Sequence, residues 1–117
     1  MEIKADNFGF RWENPFQILD QIESECREIR DELQINKEST QELKIQEEIG
    51  DLMHAVFSLC HFCGFDPEQT LKNTTEKFSR RLEAVKKISN ESGLDSLNGK
   101  SFDELMSIWE KAKKIAG

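Results

Sequence analysis

Tyrosine is absent from this chain of 117 residues, proline occurs twice and glycine six times. So few breakers leave room for long helices, because Gly and Pro are the usual punctuation between short elements. No apolar run approaches the roughly 20 residues needed to cross a bilayer, so no membrane association is expected. The opening MEIKADNFGF has no basic stretch leading into an apolar one and does not read as a secretory signal. A cytoplasmic protein is the expectation. Ser-His-Asp sets, phosphate-cradling glycine loops and dinucleotide-binding glycine patterns are also missing, which argues against covalent catalysis. Internal repeats and low-complexity tracts are not seen.

Positive charge is in short supply as well. Sixteen Lys and Arg face 23 Asp and Glu, for a net charge of −7. That balance disfavours a grip on polymeric nucleic acid through its phosphates. The imbalance is uneven: residues 1–51 carry 14 acids against 6 bases, whereas residues 72–87 carry 6 bases against 2 acids. One part of the chain can hold cations and another can meet anions, which suits a small anionic ligand that travels with a metal ion.

The length fits a single domain over residues 1–117, with a modest core that gains from self-association. Cys26, Cys60 and Cys63 are odd in number, so one is left over from any disulfide. Cys60 and Cys63 have redox or zinc spacing, but no strand precedes them, and His54 and His61 are the only histidines available as further ligands. Reduced cysteines packed in the core are expected.

Four helical segments emerge. Pro15 suits a first turn, and Ile18, Leu19, Ile22, Cys26, Ile29 and Leu33 follow at helical spacing. The polar stretch 36–40 reads as a loop. A second helix is predicted over 41–63, with Gly64 ending it. Asp66, Pro67 and Glu68 form a restart signal, and Leu71, Thr75, Phe78, Leu82 and Val85 continue a third helix. Residues 89–100 read as an exposed connection. Ser101 and Glu104 then match a capping box before Leu105, Ile108, Trp109, Ala112 and Ile115. The expected fold is all-α, a four-helix bundle-like domain.

Two acid pairs stand out on these helices, Glu25 with Glu28 and Glu48 with Asp51. At about 100° per residue, Glu25 falls about 20° outside the apolar arc of the first helix, and Glu28 about 60° beyond Glu25. On the second helix Glu48 lies within the apolar sector and Asp51 at its edge. The pairs are centred at 26.5 and 49.5, symmetric about residue 38 in the loop. In an antiparallel hairpin, such positions lie at the same height. The four acids are therefore expected to converge, and a divalent cation would relieve the cost of their burial. Magnesium, which keeps open positions for phosphate oxygens, is the first choice, with manganese as the second. A solvated charge face is the competing reading, since acid pairs at this spacing are common in so acidic a chain.

Other residues carry the same ambiguity. Lys77 and Arg81, one turn apart, can face a phosphate chain together or simply flank Phe78. Trp12 and Trp109 offer flat faces to a base or pack as core. Lys44 can meet a phosphate or pair with Glu48 one turn on.

The ordered combination resembles the MazG nucleoside triphosphate pyrophosphohydrolases, all-α relatives of the dimeric dUTPases. It is carried by Glu25-x-x-Glu28 and by Glu48-x-x-Asp51 within EEIGDLMHAVFSL. FRWENPFQILDQI, FDPEQTL, EKFSRRLEAV and LMSIWEKAK extend it over most of the chain, closest to the second repeat of longer family members. The resemblance implies magnesium-dependent hydrolysis of nucleoside triphosphates to monophosphate and pyrophosphate, removing excess or non-canonical nucleotides. It implies Glu25, Glu28, Glu48 and Asp51 as metal ligands, Lys77 and Arg81 as phosphate contacts, and Trp109 and Lys113 as nucleotide contacts, with Lys44 a looser match. Glu47 and Glu48 are candidates for the general base. It also implies a homodimer, with a tetramer as the other assembly considered. Two positions depart from the pattern: Ser24 stands where a further acid is common, and Thr75 where Asn is common. Ser24 keeps a second reading open, a non-catalytic helical module that binds nucleotide or a partner.

Overall fold

Asn14 and Pro15 set the start of the first helix. Asn14 is extended, and its side-chain oxygen accepts a hydrogen bond from the Gln17 N–H at 3.0 Å. Pro15 follows at a position whose N–H would have no partner within the helix. Gln17 in turn accepts from the Glu13 N–H at 2.8 Å, closing the entry turn from both sides. In a computed structural model that describes residues 9–35 and 39–117, with side chains from residue 42 in the second stretch, this helix is α1, Pro15–Gln34. It is followed by α2 (Ser39–Phe62), α3 (Pro67–Glu91) and α4 (Phe102–Ala116). No strand occurs among the described residues, and the chain is all-α, as its sequence indicates.

Helix ends follow local chemistry. Gly64, at a φ of +84°, lets the chain turn back on α2: its N–H donates to His61 O and the Phe65 N–H to Cys60 O, both at 3.0 Å. Those two bonds cap carbonyls that the helix leaves unpaired. Pro67 opens α3. At the start of α4 the Ser101 hydroxyl accepts from the Glu104 N–H at 3.2 Å, while the Glu104 carboxylate pairs with Lys100 at 3.5 Å.

Three sequence expectations shift. Ser39 and Thr40, read as loop, belong to α2, while 36–38 lie outside the described residues, as do the first eight positions. The stretch from Ser89, read as exposed connection, begins inside α3. Ser89 is buried and its hydroxyl donates to Val85 O at 2.9 Å, so the polar side chain is satisfied by its own helix. The cysteines, expected in the core, are reduced, with Cys26 and Cys63 exposed and Cys60 partly covered, its thiol donating to Phe65 O at 3.5 Å. For Cys26 the reason is geometric. The fully buried line of α1 is narrower than its apolar arc, comprising only Ile18 and Glu25.

The chain divides into two compact units, residues 1–67 and 68–117. In the first, α1 and α2 pack against each other as an antiparallel hairpin. Its register is marked by the ion pair of Glu32 with Lys44 at 3.1 Å, each six residues from position 38. Among its described residues, Ile18, Ala55 and Ser58 are buried besides Glu25. In the second, Ala84 and Val85 of α3 and Ala112 of α4 form the core, covered by Ile88, Leu97, Ile108 and Trp109.

The two glycines of α2 and its cap should respond oppositely to alanine. Gly64→Ala keeps free space around the new methyl but strains a left-handed backbone, and should lower stability by about 1 kcal/mol in urea unfolding. Gly50 is helical, with nothing within 4 Å of an added methyl, so Gly50→Ala should raise stability by up to about 1 kcal/mol.

Candidate metal centre

Burial of Glu25 organises the first unit. It is 7% exposed, in the seam where α1 meets α2. Its Oε1 accepts from Gln21 Nε2 at 2.8 Å, one turn back on α1. Its Oε2 is buried and has no hydrogen-bond partner, and the same holds for Oε2 of Glu48 on α2. Buried acceptors are almost always satisfied, so two orphaned carboxylate oxygens in one hairpin call for an explanation.

The electrostatics tie the acids together. Burial raises the pKa of Glu25 above its ordinary 4.5, the charges of Glu28 and Asp51 add to the rise, and the hydrogen bond from Gln21 opposes it. Burial likewise raises Glu48, helped by the charges of Glu32, Glu28 and Asp51 and opposed by Lys44. These couplings follow the hairpin register, Glu25 with Asp51 and Glu28 with Glu48. The four acids thus share one field, although no three Asp, Glu, His or Cys side chains among the described residues are already gathered as a ligand cage.

Beside Glu25 lies an open cleft of about 230 Å³, bordered by Trp12, Gln21, Asp51, His54 and Ser58. Trp12 comes from the segment before α1, so the N-terminal approach and both helices shape the cleft. Among the residues singled out by sequence, Trp12, Glu25 and Asp51 meet there. Glu28 is exposed, Glu48 is partly buried and Lys44 is engaged with Glu32.

The remaining candidates belong to the second unit. Trp109 packs against Phe78, ring centroids 5.4 Å apart, and the Arg81 guanidinium lies 5.8 Å from its centre. Arg81 Nε also donates to the Gly117 carbonyl at 2.7 Å. Lys113 pairs with Glu110 at 2.9 Å, and Lys77 is partly buried. Sequence reasoning passed over Gln21, Glu32 and Ser58, and considered His54 only as a zinc ligand. All but Ser58 lie three or four residues from a predicted ligand on the same helix, a spacing that could have flagged them.

A family model for the MazG nucleotide pyrophosphohydrolase domain matches residues 13–86. The chain belongs to the MazG family. All four carboxylates, Lys44, Lys77 and Arg81 fall inside the matched region, whereas Trp12, Trp109 and Lys113 fall outside it. The chain is 32% identical over 109 residues to the nucleoside triphosphate pyrophosphohydrolase/pyrophosphatase MazG of Thermotoga maritima, covering 93% of this chain and 40% of that protein. It is 29% identical over 111 residues to the nucleoside triphosphate pyrophosphohydrolase of Escherichia coli K12, covering 95% of this chain and 41% of that one. It therefore spans about two-fifths of the length of these curated MazG relatives. Metal dependence is a property of MazG hydrolases. The residues here suit such an ion: the donors are anionic oxygens, one orphaned on each helix, which is the ligand type that hard divalent cations take.

The raised carboxyls make a signed prediction. A carboxyl whose pKa rises on folding holds its proton more tightly in the native state, so it favours folding while protonated. That contribution is lost as pH climbs through the raised value. Without divalent cation, the urea midpoint should therefore fall as pH rises from the ordinary 4.5 towards neutrality. Glu25→Gln should flatten this decline and raise the midpoint at neutral pH, and added magnesium should raise the wild-type midpoint more at neutral than at acid pH.

Proposed function

We propose that this MazG chain is a metal-dependent nucleoside triphosphate pyrophosphohydrolase, acting as a single domain over residues 1–117. The observation that carries the reading is the buried, half-satisfied carboxylate of Glu25 at the cleft, matched by the orphaned oxygen of Glu48 on the facing helix. Glu25, Glu28, Glu48 and Asp51 would hold magnesium, or manganese in its place. Bound there, the cation would offset phosphate charge and make water a stronger nucleophile.

The chain's own residues supply the rest. Lys77 and Arg81 would bind the phosphates. Arg81 uses only Nε in its bond to Gly117, so its terminal amino groups are the ones to meet an anion. Trp12, which borders the cleft, and Trp109 are the candidate stacking faces for a base, and Lys113 and Lys44 the further cationic contacts. Stacking accepts any base, which favours broad specificity. Water oxygen bonds to the α-phosphorus, the bond to the bridging oxygen breaks, and pyrophosphate leaves. The water's proton passes to a base, for which exposed Glu47 and the partly buried Glu48 are candidates.

Self-association completes the proposal. On α2, Ile49, Met53, Val56 and Phe57 are all at least 43% exposed, although from Ile49 onward that helix is apolar around more than half of its circumference. A helix of that character is normally covered. A homodimer, or a tetramer built from it, would cover it. No described helix is long and apolar enough to cross a membrane, and a cytoplasmic site of action fits the proposed substrate.

The test is pyrophosphate release from a panel of ribo- and deoxynucleoside triphosphates with magnesium, manganese or EDTA. Metal-dependent release with matching monophosphate is expected. Glu48→Gln should lose at least about 100-fold in turnover, beyond the 10–100-fold typical of outer partners of a metal ligand, with helical content unchanged by circular dichroism. Unaltered turnover in that variant would remove Glu48 from the site. Nucleotide binding without release, in the folded wild type, would favour the binding-module reading that Ser24 keeps open.

A further inference from the structure

Lys44 feels the charges of Glu32, Glu48 and Glu28, and the two that bear on its placement are Glu32 and Glu48. Glu48 lies one turn further along α2, at the spacing where a lysine and a glutamate on one helix commonly pair. Glu32 lies across the seam on α1. The lysine takes Glu32, at 3.1 Å. The consequence is visible on Glu48, whose Oε2 stays buried with no hydrogen-bond partner. The two halves of the ion pair also differ in freedom: the Glu32 side chain is 13% exposed and the Lys44 side chain 60%. Glu32 is the anchored half and Lys44 the half that can swing.

We infer that Glu32 is a positioning residue for the metal centre, which draws Lys44 away from Glu48 and so keeps that carboxylate available to a divalent cation. The inference rests on the proposed metal site and deepens it. With its lysine end in solvent the pair adds little to stability on its own, and what the Glu32–Lys44 bond decides is where a positive charge is parked. With Glu32 neutral, Lys44 would fall back on Glu48, the acid one turn away on its own helix. It would then occupy an oxygen that a cation needs and add a repelling charge at the same place.

A double-mutant cycle on cation affinity separates this from a simple charge effect. Manganese binding would be measured by calorimetry, without nucleotide, on wild type, Glu32→Gln, Lys44→Met and the double variant, each checked for helicity. Neutralising Glu32 should weaken manganese binding on the order of tenfold in the wild-type background, the scale of one unit charge moved close to the site. In the Lys44→Met background the same change should cost clearly less, because no lysine is left to fall back. Equal losses in both backgrounds would show a long-range charge effect only and would overturn the inference. Glu32→Asp, which keeps the charge with a shorter reach, should fall between wild type and Glu32→Gln. If Glu32→Gln does not fold, wild-type affinity in Glu32→Asp is the overturning result. Failure of the wild type to bind manganese at all would instead bring down the metal site, and the inference with it.

Discussion

A carboxylate in the seam between α1 and α2 is the constraint on which the first unit depends. Glu25 occupies a position that a hairpin built only for stability would give to a hydrophobe, and the apolar contacts around it are thin, with Ile18 and Ala55 the buried apolar side chains among the described residues of that unit. Gln21 satisfies one oxygen and the other is left over. Removing a carboxylate from water is costly unless its charge or its hydrogen bonds are compensated, so the hairpin gives up stability at its centre. Residues that break the rules of core packing in this way are characteristic of sites kept for function. The raised pKa values of Glu25 and Glu48 express the same conflict in protonation terms.

The two helices meet that conflict with a strict register. Glu32 faces Lys44 at equal distances from position 38, and the charge couplings between Glu25 and Asp51 and between Glu28 and Glu48 follow the same symmetry. One antiparallel alignment therefore sets both the acid cluster and the Glu32–Lys44 ion pair beside it. In the second unit, basic and aromatic groups are locked differently. Phe78 and Arg81 of α3 both rest against Trp109 of α4, and Arg81 reaches on to Gly117, so a cation–π contact and a charged hydrogen bond fix the guanidinium. An anion meeting Arg81 would find it already oriented.

Much of the site is legible in the order of residues along the chain. Helical spacing puts Glu25 at the rim of the apolar arc of α1 and Glu48 inside that of α2, and both have a buried oxygen. Asp51, read at the sector's edge, and Glu28, read well beyond the arc, are exposed. The loop symmetry anticipates the register that the Glu32–Lys44 pair marks. Legibility stops where the outcome depends on which neighbour faces which. The choice of Lys44 between Glu32 and Glu48, the donation of Gln21 to Glu25 and the burial of Ser58 are all relations across or along the seam. A helical wheel carries no information about the partner helix. The cysteines show the converse error: their type suggests the core, but two of the three are exposed and Cys60 is only partly covered.

What the sequence by itself determined here is local. Sparse glycine and proline make the chain helical, Asn14, Ser101 and Gly64 place helix ends through bonds to near neighbours, and a three-residue spacing puts each acid pair along one helix. Those features depend only on residues a few positions apart, so they can be read along the chain. Only the tertiary structure decided which carboxylate oxygens lose water without gaining a partner, which acid holds the lysine, and that Trp12 borders the same cleft as Glu25 and Asp51. Desolvation and charge pairing depend on atoms distant in sequence. They acquire their values only when the helices have packed.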